Sequence, residues 1–254
     1  MALKSPLGFG MMRLPIKNND PTNFDYEQLN PMVDAFLDAG YTYFDTSFVY
    51  HNGKSEEATR KAVVERHPRD SFTVATKFPT FILEKEEQIE TIFAQQLQNL
   101  GVDYIDYYLL HLINTVHYEG VDGKGGIVKT AHLFEHAKQW LADGKIKHLG
   151  FSFHASAKQL DRVLGEHPEV EFVQIALNYI DWESEFVQAK ACYEVIRKGI
   201  ANLVNAIQAG ILTASTKEQL EQLEKEREEL TISIAQAQLA RPKYTKEQIV
   251  DWIS

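Results

Sequence analysis

Short apolar runs rich in β-branched and aromatic residues recur six times along the chain, with longer segments of helical spacing between them. Near-continuous apolar character over so few residues is typical of strands that are buried on both faces. The pattern therefore predicts six buried strands, at residues 5–12, 41–47, 71–78, 104–111, 148–153 and 172–179.

The segments between these runs carry helix start and stop signals. Asn30 followed by Pro31 predicts an N-cap and a first helical residue. Ser55, followed by two acidic residues, predicts the start of another helix. Two longer segments in helical period are predicted to end at Gly101 and Gly144.

Alternating strands and helices predict a parallel sheet with right-handed crossovers, an α/β fold. A doubly wound sheet is possible, but no G-x-G-x-x-G turn follows a predicted strand, as a Rossmann site would need. A (β/α)8 TIM barrel fits better, and its active site would lie at the C-terminal ends of the strands. We expect residues 1–216 to form this barrel and residues 217–254 to form a helical segment packed on it.

Net charge, cysteine content and the lengths of the apolar runs argue against several classes of protein. The formal net charge of −10 argues against non-specific binding to nucleic acid or to an anionic membrane. Cys192 is the single cysteine, so neither an intrachain disulfide nor a thiolate metal cluster is expected, which fits a reducing, cytoplasmic compartment. The N-terminus lacks the apolar stretch of a signal peptide, and no run of 18 apolar residues predicts a membrane span. Oligomeric state cannot be deduced from these properties.

Polar and ionisable residues stand where the predicted strands end. Asp45 ends the second strand, Tyr50 follows on its loop, Lys77 ends the third strand and His111 ends the fourth. Any one of them alone would most simply be a solvated strand end. A buried carboxylate without a partner is costly, however, so Asp45 is predicted to have one. The equivalent positions on successive strands predict that the four side chains converge.

The motifs FDTSFVY, ATKF, YIDYYLLH and LGFSFHAS, in that order, resemble the aldo-keto reductase family over about residues 1–198. The resemblance implies a catalytic tetrad of Asp45, Tyr50, Lys77 and His111, in which Asp45 pairs with Lys77. Tyr50 would give a proton to the developing alkoxide, because a nearby cation stabilises its phenolate form. His111 would orient the carbonyl oxygen, and a nicotinamide cofactor would supply the hydride.

The resemblance also implies a set of residues around the nicotinamide. Ser152 and Gln174 would hold its carboxamide, and the backbone near Gly10 and Met11 would face the cofactor. The alternative for Gln174 is a buried amide that satisfies strand backbone. Phe153 stands where the family usually has Asn, which removes one amide contact.

A second set of residues would grip the 2′-phosphate of NADP at a helix N-terminus. These are Ser215, Thr216, Lys217 and Gln219. An ordinary capped helix is the competing interpretation of this segment. The expected cofactor is NADPH, with NADH possible, and no metal is expected.

The chain departs from the family after residue 198. Strand seven is absent, and the sequence IANLVNAIQAG has a helical pattern instead. Three alternatives follow. Either residues 200–212 form an unusual seventh strand, or another chain supplies that strand, or the barrel is open. The string KGIANLV is similar to one in the C-terminal iron–sulfur segment of some bacterial members, but its cysteines are missing, so no cluster is expected.

The predicted function is an NADPH-dependent oxidoreductase that reduces an aldehyde or ketone, with a small-molecule carbonyl substrate as its partner. The alternative is a non-catalytic or weakly active member that binds the cofactor in a regulatory role. The tetrad favours the enzyme, and the missing strand favours the alternative. The identity of the substrate cannot be deduced from the sequence.

Overall fold

The computed structural model describes residues 7–178, 182–185 and 187–208. Its six strands form one parallel sheet in the order β1-β2-β3-β4-β5-β6, so each strand pairs with its neighbours in sequence. The strands are β1 (Gly8–Gly10), β2 (Tyr43–Asp45), β3 (Thr73–Phe78), β4 (Ile105–Ile113), β5 (Ile146–Phe153) and β6 (Phe172–Ile175). All six lie within or beside the predicted apolar runs, which confirms the strands and their parallel arrangement.

Helices connect the strands. They are α1 (Tyr26–Asp38), the one-turn α2 (Tyr50–Gly53), α3 (Ser55–Thr59), α4 (Ile89–Leu100), α5 (Thr115–Glu119), α6 (Ile127–Thr130), α7 (Leu133–Ala142), α8 (Ala157–Glu166) and α9 (Ala189–Gln208). Helix α4 ends at Gly101 in the left-handed conformation, as its sequence predicts, and Gly144 follows α7 with φ +70°.

One predicted helix start and one predicted N-cap are wrong, although α3 begins at Ser55 as predicted. Helix α1 begins at Tyr26 rather than at Pro31, because the Asp25 carboxylate accepts the Glu27 N–H and caps the helix one turn earlier. Pro31 therefore lies inside the helix. Ser55 is not a cap either, because its hydroxyl donates to the Met11 carbonyl oxygen and so ties α3 to the segment after β1.

The sheet curls. Asp45 on β2 and Gln174 on β6 are four strands apart, which in a flat sheet would separate them by roughly 19 Å. The Gln174 side-chain amide nevertheless lies 3.4 Å from Asp45 Oδ2. The six strands and their helices thus form part of a barrel wall, with β1 and β6 as its edges among the described residues.

The main apolar core fills the layer between the sheet and the outer helices. The Phe93 ring of α4 stacks on the Trp140 ring of α7 with centroids 4.0 Å apart, and both contact Tyr108 of β4 edge-on. Because these rings are buried together, they hold α4 and α7 against β4, one of the strands whose C-terminal ends form the edge described below.

Residues 200–208 continue α9, so these residues do not form the missing seventh strand. Residues 209–212 lie outside the described residues, as does the predicted domain boundary at 216/217, which stays a prediction. Met1–Ile196 forms one compact unit and Arg197–Ser254 a second. Within the described ranges, every helix is too short or too polar to cross a membrane.

Candidate active site

An ion pair joins the ends of β2 and β3. The Lys77 ammonium donates to Asp45 Oδ1 over 2.6 Å and to the Thr46 carbonyl oxygen over 2.8 Å. Lys77 is only 1% exposed, and the Asp45 side chain is 15% exposed. A buried ammonium needs such an opposite charge and hydrogen-bond acceptors, so the sequence question of what holds Asp45 has a structural answer.

Tyr50 lies over this pair. The Lys77 Nζ atom is 4.9 Å from the centre of the Tyr50 ring. The turn after Tyr50 is unusual, since His51 and Asn52 both take left-handed backbone angles, with φ 52° and 53°. Its position is held by the His51 ring, whose two nitrogens bond to the Leu14 N–H and to the Pro21 carbonyl oxygen.

His111 lies at an irregularity near the end of β4. The strand register shifts between Leu110 and Ile113, and Leu112 has φ 60°, which is strained for a leucine. The distortion is held by two hydroxyls: Thr80 donates to the His111 carbonyl oxygen, and Ser152 accepts the Leu112 N–H over 2.8 Å.

The His111 ring faces Tyr50 at a centroid distance of 6.0 Å, and Phe81 packs on it at 5.6 Å. Burial, together with the positive charge of Lys77 and the neighbouring His154, lowers the pKa of His111 to about 4. The imidazole is therefore neutral at pH 7.

The structure brings the four proposed tetrad residues together at the C-terminal edge of β2, β3 and β4. Their catalytic roles stay predictions. Three groups beside them were not identified from sequence, namely the Thr46 carbonyl oxygen, the Ser47 hydroxyl and the Thr80 hydroxyl. Nothing in the spacing of these hydroxyl residues distinguishes them from ordinary strand-end residues.

The predicted nicotinamide contacts lie at the same edge. Ser152 on β5 and Gln174 on β6 are paired in register, with Ser152 buried and Gln174 exposed. Gln174 is therefore not the buried amide of the alternative interpretation. Gly10 is paired with Asp45, and the Met11 N–H donates to the Asp45 carbonyl oxygen while the Met11 side chain is fully buried.

The predicted phosphate-binding residues Ser215, Thr216, Lys217 and Gln219 lie outside the described residues. In the part of the chain that is described, no three His, Cys, Asp or Glu side chains are arranged to hold a metal ion. Cys192 is buried and makes no disulfide.

The sequence and the fold of this chain can be compared with those of known proteins. "Probable aldo-keto reductase 1" of Glycine max is 32% identical over 179 residues, which are 67% of this chain and 47% of that protein. An aldo-keto reductase of Mycolicibacterium vanbaalenii is 32% identical over 160 residues, which are 62% of this chain and 50% of that protein. The chain thus spans about half the length of these curated relatives.

Solved structures share the fold. An aldo-keto reductase from Klebsiella pneumoniae in complex with NADPH superposes with a TM-score of 0.54 at 21% identity, covering 74% of this chain and 60% of that one. An aldo/keto reductase structure from the same organism, with NADP and acetate, has a TM-score of 0.53 at 20% identity and the same coverage. The model of the aldo/keto reductase family matches residues 6–248, and the chain therefore belongs to that family.

Proposed function

We propose that this chain carries an NADPH-dependent oxidoreductase activity that reduces an aldehyde or ketone, with Tyr50 as the general acid. The observation that carries the proposal is the buried Lys77 ammonium, bonded to Asp45 and lying 4.9 Å from the Tyr50 ring centre. A cation in this position favours the phenolate that remains after Tyr50 has given up its proton.

The substrate carbonyl oxygen would lie between the Tyr50 hydroxyl and the His111 ring. As negative charge develops on this oxygen, Tyr50 donates a proton and His111 donates a hydrogen bond that fixes the oxygen in place. Because its pKa of about 4 keeps His111 neutral, the ring can offer a hydrogen bond while Tyr50 supplies the proton. Asp45 holds the Lys77 ammonium by direct contact.

The neighbouring residues fit a nicotinamide cofactor, which when bound supplies the hydride. The exposed Gln174 amide offers a donor and an acceptor, which complement a carboxamide, and Ser152 still has its own proton to donate. A Cβ added at Gly10 would meet nothing within 4 Å, so a flat ring can approach the backbone there.

NADPH rather than NADH is proposed from Ser215, Thr216, Lys217 and Gln219, since a 2′-phosphate needs charge-assisted donors. The similar Klebsiella pneumoniae structure is described in complex with NADPH, which supports this choice. Lys217→Glu should then weaken NADPH binding more than NADH binding.

A fluorescence titration with NADPH, followed by an assay of NADPH consumption with a panel of aldehydes and ketones, tests the proposal. Saturable binding with turnover is expected. Binding without turnover on any carbonyl would favour the non-catalytic alternative. If millimolar NADPH does not bind, the oxidoreductase proposal is wrong.

A further inference from the structure

Ser47 lies two residues after Asp45, beyond the end of β2, and is fully buried. Its hydroxyl oxygen is 3.1 Å from Nδ1 of His111, a residue 64 positions away in the sequence. Among the described residues, this is the only polar partner found for either the Ser47 hydroxyl or the His111 ring. The contact therefore decides how the ring is oriented and where its proton lies.

Two arrangements of this contact are chemically possible. Either the Ser47 hydroxyl donates to an unprotonated Nδ1, or Nδ1–H donates to the Ser47 oxygen. In the second arrangement the Ser47 hydroxyl proton would need another acceptor, and the described part of the chain offers none. Because a buried hydroxyl without an acceptor is costly, the first arrangement is favoured.

The proton count of the ring follows from this choice. The imidazole is neutral at pH 7, since burial and Lys77 lower its pKa to about 4. A neutral imidazole carries one N–H, and with Nδ1 accepting from Ser47 this hydrogen is on Nε2. Nε2 is the ring nitrogen left free to bond to a substrate.

We propose that Ser47 is a positioning residue that holds His111 as the Nε2–H tautomer, so that the ring presents a hydrogen-bond donor to the carbonyl oxygen. This inference rests on the proposed carbonyl reduction for its purpose, but the tautomer itself can be measured without substrate. With the opposite tautomer, Nε2 would be an acceptor and would repel the lone pairs of the carbonyl oxygen.

The backbone of His111 is held separately. Thr80 donates to its carbonyl oxygen, and the distorted Leu112 beside it donates its N–H to Ser152. These contacts fix the backbone of His111 but do not determine which ring nitrogen carries the proton. Loss of the Ser47 hydroxyl should therefore change the ring state and leave the strand end in place.

The direct test is a long-range 1H–15N correlation spectrum of the imidazole nitrogens in the full chain at pH 7, with the His111 signals assigned from their absence in His111→Asn. We expect protonated Nε2 and unprotonated Nδ1 in the wild type. In Ser47→Ala we expect averaged nitrogen signals, as two tautomers exchange. A wild-type ring protonated at Nδ1 would overturn the proposal, even if Ser47→Ala fails to fold.

Thr59→Val is the matched control. Thr59 is also a fully buried hydroxyl, but it donates to the Ser55 carbonyl oxygen and contacts no tetrad residue. We expect it to leave the His111 spectrum unchanged. An unchanged His111 spectrum in folded Ser47→Ala would contradict the proposal, because Ser47 would then be structural only.

Kinetics supply the second readout. Ser47→Ala should raise KM for the carbonyl substrate and lower kcat/KM by about 3- to 10-fold, as for the loss of one neutral hydrogen bond, with no change in NADPH affinity. A rise in KM for both ligands alike would count against a role at the carbonyl. If no carbonyl is turned over but the tautomer changes as expected, the proposed function is wrong and the assignment of Ser47 stands.

Discussion

Thr76 and Lys77 are neighbours on β3 that face opposite sides of the sheet, and each contacts a different acidic side chain. On the inner side, Lys77 bonds to the Asp45 carboxylate at 2.6 Å. On the outer side, Thr76 donates over 2.7 Å to Glu56, a fully buried carboxyl group of α3. Strand β3 therefore has the Lys77–Asp45 ion pair on one side and the Glu56 carboxyl group on the other.

Among the described residues, no cation pairs with Glu56. Its oxygens accept from the Thr76 hydroxyl, from the Gln96 amide at 2.9 Å and from the Asn99 amide at 3.0 Å. Burial raises the pKa of Glu56 to about 7, although these three hydrogen bonds act to lower it. Neutral donors thus do not offset the lost hydration of a carboxylate, whereas a full opposite charge is available on the inner side.

The two sides should differ in what a substitution does. Changes on the inner side should affect the chemistry, and changes on the outer side should affect stability and its pH dependence.

The largest effect is expected for Tyr50→Phe. The ring can still pack, but the transferable proton is lost, so turnover should fall by at least about 10²–10⁴-fold while NADPH binding persists. NADPH consumption with several aldehydes, for wild type and variant side by side, measures this. Wild-type turnover in Tyr50→Phe would show that the phenol is not the acid.

Lys77→Met should be nearly as damaging, because the phenolate of Tyr50 then loses its cation. The two losses should not add in the double variant, since both act through one proton transfer. Lys61→Met is the control and should keep full turnover, because it changes an exposed lysine that lies beside the Tyr26 ring and makes no recorded contact with a tetrad residue. Additive losses in the double variant would argue against a shared step.

Glu56→Gln should remove a pH dependence of stability. Because the folded-state pKa of about 7 lies above the ordinary value of 4.5, folded wild type keeps the Glu56 proton in this interval while the unfolded chain loses it. The free energy of unfolding should therefore fall as pH rises from about 4.5 to about 7, by about 3 kcal/mol at about 1.4 kcal/mol for each pKa unit.

Urea denaturation of both proteins at pH 5 and pH 8 measures this effect. Other groups titrate alike in the two proteins, so the difference between them isolates Glu56. We expect the variant to gain on the wild type at pH 8. A difference that does not change with pH would show that Glu56 stays ionised in the folded state.

Thr76→Val should give the smallest effect. It removes one hydrogen bond to Glu56 and keeps the side-chain shape, so the free energy of unfolding should fall by about 1 kcal/mol. Turnover should stay at the wild-type level, because Thr76 faces away from the tetrad. A large loss of turnover with little loss of stability would show that the outer side of β3 also affects the chemistry, which would contradict this comparison.

The sequence predicted the residues on the inner side of β3, but it did not predict the contacts of Glu56 on the outer side. Apolar runs predict the strands because burial on both faces constrains every residue, and charged residues at the ends of those runs stand out. Glu56 does not stand out, because its donors Thr76, Gln96 and Asn99 meet it only through packing of α3 and α4 on the sheet. The sequence therefore indicated a helix start there, not a buried network.

Single-residue signals failed where a competing contact was stronger. Pro31 is a good first helical residue, but the Asp25 cap lengthened α1 past it. The left-handed backbone angles of His51 and Leu112 fall on residue types that do not favour them, although Asn52 and Gly53 after His51 do. They are held by contacts with residues 14, 21, 80 and 152, which a linear pattern does not bring together.

The strand order has a consequence for synthesis of the chain. Every strand pairs first with one already made, so the sheet can grow strand by strand as the chain emerges from the ribosome. The tetrad residues span positions 45–111, and their recorded contacts with one another lie within β2 to β4 and the Tyr50 turn. Gln174, which reaches back across 129 positions to Asp45, arrives later. The ion pair of the site can thus form in the nascent protein before the residues proposed to hold the cofactor have been translated.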